Sequence, residues 1–181
     1  MIIDVLIPVG DARREVGPSK AHSLVLIQEA VFRTGNHIYH TATGVKDALR
    51  RALTYDLSHT GEEASISSEQ DFDAWVRNNT TDSAAMTDEE KLMAGRFDRQ
   101  LSDTSRGRPF GVTSKGYICV LQHGMRPGDV VAILRGGRVP YILRPTNDGD
   151  KYVFLGEVYV QGLMKGEALL LGDLSEKITL V

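Results

Sequence analysis

Glu157 and Tyr159 stand two residues apart in the stretch Tyr152 to Val160, so in an extended strand their side chains share one face. A carboxylate beside a phenol can work as an acid–base pair when burial lifts the carboxyl towards neutrality. His123, Arg138, Tyr141 and Arg144 precede them on the same run of short strands. Glu157, Tyr159 and His123 are then the candidate catalytic groups, and Arg138, Tyr141 and Arg144 the candidate ligand-binding groups. If Leu143 and Val158 are hairpin partners, Arg144 and Glu157 fall on neighbouring strands. Two readings of that pair stay open. One is an outward salt bridge worth less than about 1 kcal/mol; the other puts Glu157 and Tyr159 in a cleft against the helical half. Alternation alone does not say whether the face is covered.

Other reactive side chains form weaker patterns. His37 and His40 have a spacing that can aim two imidazoles at one metal, but no cysteine or carboxylate cluster accompanies them, and a structural zinc needs four ligands. Cys119 and His123 suggest a thiolate–imidazole pair, yet Cys119 lies within Tyr117-Ile118-Cys119-Val120-Leu121, where a buried inert thiol is the usual outcome. Arg135-Gly136-Gly137-Arg138 has the look of a nucleic-acid element, but two glycines between apolar strands make a hairpin turn. The phosphate loop, the dinucleotide fingerprint, the nucleophile elbow and the zincin helix are all missing from the sequence. No metal and no cofactor is therefore expected.

The elements that must position these groups change character midway. At 181 residues the chain is the size of one domain, 1–181, with 41% hydrophobic and 25% charged residues. A net charge of −3 gives no field for nucleic acid or an anionic membrane. One cysteine excludes an internal disulfide, and the opening apolar run is too short for a signal peptide or spanning helix, so the cytoplasm is the expected location.

Residues 1–105 read as mainly helical. Ile2 to Ile7 is a strand, and Pro18-Ser19 opens a helix to about Arg33 whose apolar residues cover most of its circumference, which predicts a central buried helix. A second helix runs from Val45 to about Leu57, capped by Thr43 or Gly44, with Lys46, Asp47, Arg50 and Arg51 towards water. A third follows Ser68, with Phe72, Trp75 and Val76 on one face. Thr87-Asp88-Glu89-Glu90 is a capping box opening a fourth, where Met93, Phe97 and Leu101 align.

Residues 106–181 read as β-rich. Strands are expected at Pro109–Thr113, Tyr117–Leu121, Val130–Leu134, Val139–Leu143 and Tyr152–Val160, separated by turn chemistry. Val130 to Leu134 is apolar throughout, as in a strand buried on both faces. Gly156 within a strand predicts a bulge that curls the sheet. The predicted fold class is α+β: a helical half packed on an antiparallel β-meander or small, partly open barrel.

Gly116-Tyr117-Ile118-Cys119, Arg126 to Leu134, Gly136 to Pro145, Gly156-Glu157-Val158-Tyr159-Val160, Gly162-Leu163-Met164 and Gly166-Glu167-Ala168 occur in an order that resembles the C-terminal region of fungal heterokaryon-incompatibility (HET) proteins. The helical part, including Phe72-Asp73-Ala74-Trp75-Val76, is similar in character to the segment preceding it there. The Tyr-x-x-Leu-Ser-Tyr-x-Trp-Gly type signature of the family's effector domain is missing, and Gln161 stands where relatives often have His. The resemblance implies a binding or regulatory module without effector activity, whose partner is a protein or a small-molecule ligand. The alternative is a cofactor-independent fungal enzyme of natural-product biosynthesis, an isomerase, cyclase or dehydratase, using acid–base residues in a pocket between sheet and helices. Neither reading fixes an oligomeric state.

Overall fold

Reciprocal hydrogen bonds mark the start of one helix: the Glu90 amide donates to Thr87 Oγ1 at 3.2 Å, and the Thr87 amide donates to the Glu90 carboxylate at 2.7 Å. This is the expected capping box, satisfying amides that have no partner within the first turn. The computed structural model describes residues 2–7, 29–34, 38–39, 42–58, 60–62, 66–79, 85–104, 108–148, 151–171 and 177–181. Its helices are α1 (Ala42–Leu53), α2 (Ile66–Asn79) and α3 (Asp88–Thr104). Residues 29–33 are also helical. The expected start of that helix at Pro18-Ser19, like His37 and His40, lies outside the described residues.

The helices pack through the spacing that the sequence predicts, with local departures. Phe72 and Trp75 of α2 meet Phe97 of α3 with ring centroids 5.1 and 5.3 Å apart. Arg96 donates to both oxygens of the buried Asp71, which ties the same two helices. On α1, Val45, Ala48, Leu49 and Ala52 are buried as expected, but the helix takes in Gly44 and stops at Leu53 rather than Leu57. Arg50, expected towards water, is only 3% exposed; it folds back onto Asp47. The described part of the first helix also corrects an expectation. Ala30 and Val31 are buried, but Phe32 is 46% exposed, so this end buries one face instead of its circumference.

The strands are β1 (Ile2–Ile7), β2 (Phe110–Thr113), β3 (Ile118–Val120), β4 (Val130–Ala132), β5 (Tyr141–Pro145), β6 (Lys151–Glu157), β7 (Tyr159–Val160) and β8 (Thr179–Leu180). Their order among the described residues is β7-β3-β2-β1-β4-β5-β6-β8, antiparallel except where β8 runs parallel to β6. Val112, Ile118 and Val120 point towards the helices and share one core with them. Cys119, Val131, Ile142 and Val160 point the other way into a second core. β4 is buried along its length, as its apolar run predicts.

β6 and β7 are separated by Val158 alone, yet β6 pairs with β5 and β7 pairs with β3. One bent stretch of chain therefore links distant parts of the sheet, curling it into a partly open barrel. Gly156, with φ at +132°, sits beside the irregularity in the β5–β6 ladder, where a side chain would strain the backbone.

The β5–β6 register differs from the hairpin that the sequence suggests. Pairing starts at Pro145 with Tyr152, so Tyr141 faces Glu157, Leu143 faces Phe154 and Arg144 faces Val153. Arg144 and Glu157 are not neighbours. Arg144 instead binds the buried carboxylate of Asp129 through two nitrogens, at 2.7 and 2.9 Å, and donates to the Gly124 carbonyl at 2.8 Å.

Candidate functional site

α1, the turn that follows it and the bent β6–β7 stretch enclose a cleft of about 1050 Å³. Gly44, Asp47, Ala48 and Arg51 of α1 form one wall, continued by Tyr55, Asp56 and Leu57. Val120, Gln122, Glu157, Val158 and Tyr159 form the opposite wall, and Gln161, Gly162, Met164, Lys165 and Glu167 extend it. Tyr39, Arg108 and Val139 complete the lining.

The helical wall ends in an uncommon backbone. Tyr55 and Asp56 have φ of +54° and +60°, left-handed values that usually fall to glycine at a helix end. The Asp56 amide donates to the Arg51 carbonyl at 2.7 Å, which closes the helix. For a bulky residue such as Tyr55 this conformation costs of order 1–3 kcal/mol and needs outside support. The Tyr159 ring supplies some of it, meeting Tyr55 edge-on at 5.0 Å. Gln100 of α3 donates to the Leu57 carbonyl, and Thr104 donates to the Leu53 carbonyl at 2.9 Å.

A chain of ion pairs crosses from this wall to the loop after β7. Asp47 binds Arg51 at 2.7 Å, Arg51 binds Asp56 at 2.5 Å, and Asp56 binds Lys165 at 3.3 Å. Partial burial pushes the Asp47 carboxyl up, but hydrogen bonds from Arg50 and Arg51 outweigh it and hold the group below the usual carboxylate range. The hydrogen bond to Asp47 raises Arg51 in turn. Burial, with the Asp56 charge adding to it, pushes the Tyr159 phenol well up, and its hydroxyl donates to Gln161 Oε1 at 2.6 Å. Tyr39 is pushed up by burial too; it accepts from the Ile118 amide and donates to the Gln161 carbonyl, both at 3.1 Å.

Of the residues singled out in the sequence, Glu157 and Tyr159 line the cleft together. The Glu157 side chain is exposed, and its carbonyl accepts from Gln122 Nε2 at 3.1 Å. The other four lie elsewhere. His123 is exposed in the turn after β3, Arg138 is exposed before β5, and Tyr141 packs on Phe154 at 5.4 Å. Arg144 is held by Asp129. Cys119 is fully buried in the second core, whereas His123 is exposed.

Sequence reading missed Tyr39, Asp47, Arg51, Tyr55, Asp56, Arg108 and Gln122. Asp47 and Arg51 carry the helical spacing of a solvated ion pair, and the same spacing serves a cleft wall equally well. Tyr55-Asp56 falls inside the helix that the sequence predicts to about Leu57, so the exit at Leu53 carries no local signal.

No helix among the described residues is long and apolar enough to cross a membrane. Comparison with known proteins matches residues 28–178 to the Het-6 beta-barrel domain family. Over 72 residues the chain is 38% identical to heterokaryon incompatibility protein 6, OR allele, of Neurospora crassa; that stretch is 39% of this chain and 10% of that protein. The chain thus spans a small part of the length of that relative. No solved structure matches.

Proposed function

The chain belongs to the Het-6 beta-barrel domain family, and on that footing we propose that it is a fungal binding and regulatory module, acting through its cleft without effector activity. The observation that carries this reading is the strained Tyr55-Asp56 turn in the cleft wall, backbone that is kept only where distant contacts hold it. Binding also suits the groups better than proton transfer does. An acid–base pair needs a sheltered carboxyl beside a free phenol; here Glu157 is exposed and the Tyr159 hydroxyl is committed to Gln161.

The test compares the chain with a Val139→Trp variant that adds bulk to the cleft lining. Both are immobilised and exposed to an extract of a fungus carrying HET proteins, and each retained species is identified and titrated by calorimetry. The reading expects a species that saturates the parent chain and binds the variant at least about tenfold more weakly, equivalent to about 1.4 kcal/mol, with thermal unfolding unchanged. Equal binding of every retained species to both proteins would rule the cleft out.

A further inference from the structure

The charged side chains that line the cleft are unequally partnered. Arg51 is shared by Asp47 and Asp56, and Lys165 is taken by Asp56. Arg108, Glu157 and Glu167 have no ion-pair partner among the described residues; the half-buried Glu167 carboxylate accepts from the Lys165 amide at 2.6 Å, whereas Arg108 and Glu157 are exposed in the lining. Hydrogen bonds link the stretches of backbone that carry them. The Pro109 carbonyl beside Arg108 accepts from the Leu121 amide at 2.8 Å, and the next residue, Gln122, donates to the Glu157 carbonyl. Even so, they form no ion pair with each other, so they present a cationic and an anionic point to whatever enters.

The lining also holds an apolar and aromatic set: Ala48, Val120, Val158 and the edge-to-face rings of Tyr55 and Tyr159. Gln122 uses one amide hydrogen on Glu157, which leaves its second hydrogen and its carbonyl to meet a peptide group. Phosphate-bearing ligands are disfavoured. The lining holds the carboxylates of Asp47, Asp56, Glu157 and Glu167 against the cations of Arg51, Arg108 and Lys165. A cleft of about 1050 Å³ matches the upper end of drug-sized sites, roughly 300–1,000 Å³, and has room for several residues of extended chain.

Resting on the binding role proposed above, we infer that the ligand is a peptide segment with an apolar or aromatic side chain flanked by one acidic and one basic side chain. The acidic group meets the guanidinium of Arg108 and the basic group meets Glu157, while the central side chain lies against Tyr55 and Tyr159. A free aromatic amino acid offers the same chemistry in smaller form, so the experiment has to separate the two sources.

The probes are N-acetylated, C-amidated heptapeptides with a central phenylalanine and one acidic and one basic residue at varied spacing. Controls carry like charges or none, and free phenylalanine forms a separate arm. Binding is read by fluorescence polarisation, with free phenylalanine as competitor, for the full chain and its Arg108→Glu, Glu157→Lys and doubly reversed variants. Far-UV circular dichroism and melting confirm that these exposed substitutions leave the fold intact. The mixed-charge peptides should bind at least about tenfold more tightly than the controls, and each single reversal should weaken them by a similar factor. The double reversal should restore binding to peptides with the order of charges exchanged.

Equal binding of mixed and control peptides, or single reversals without effect, would overturn the inference. So would free phenylalanine competing as well as the best peptide. If Val139→Trp abolishes binding of some other class of ligand, the peptide assignment falls and the binding role stands. If that substitution affects no ligand at all, both fall.

Discussion

Tyr55 and Asp56 hold a left-handed conformation without glycine, and both line the cleft. Asparagine tolerates that conformation better than alanine, and neither replacement keeps the ion pairs to Arg51 and Lys165. Asp56→Ala should therefore destabilise the fold by about 1 kcal/mol more than Asp56→Asn. Urea unfolding of the two variants checks this; equal losses would mean the backbone is not strained there. Asp47 gives a pH dependence with a definite sign. Its folded carboxyl titrates below the ordinary range, so its stabilisation is complete above the unfolded value of about 3.9 and is lost as pH falls through the folded one. Between about pH 6 and 3, wild-type protein should lose more stability than Asp47→Asn. Unfolding midpoints that fall in parallel would remove Asp47 from this role.

At the scale of elements, two substitutions probe what fixes α3 and the barrel's bend. Thr87→Ala removes the hydroxyl that receives the Glu90 amide, and should cost about 1 kcal/mol, with Thr87→Ser close to neutral. Gly156→Ala forces a side chain onto a φ of +132°, and should lower the melting temperature by several degrees. No change in the melt would show that the β5–β6 irregularity does not depend on glycine. These two features were legible in the sequence because each depends on neighbours in the chain: a capping residue three positions from its acid, a glycine inside a strand. The spacing of Phe72 and Trp75 was legible for the same reason. The β5–β6 register was not, since alternation fits several pairings and the choice falls to the start of the hairpin at Pro145 and Tyr152. The Asp129–Arg144 pair follows from that register, so it was hidden too. Nor could the exit from α1 be read, because its support comes from Tyr159 and Lys165, far along the chain.

For the whole molecule, the curled sheet carries helices over β2 and β3, and the bent β6–β7 stretch sets Glu157 and Tyr159 opposite the end of α1. The residues proposed from sequence as one polar set are divided by this arrangement: two line the cleft, and the others serve turns, a strand contact or the Asp129 pair. On the proposed reading, function rests on the cleft as the place where a ligand binds, whatever its identity. The most direct measurement is a fragment screen by NMR on the isotopically labelled full chain, followed through amide shifts. Fragments from a diverse library collect at true binding sites because a few buried contacts carry most of the affinity. The account predicts that the hits perturb one contiguous set around Ala48, Tyr55, Gln122, Glu157 and Tyr159. Hits spread evenly over the surface, or gathered at another face while these amides stay unmoved, would contradict it.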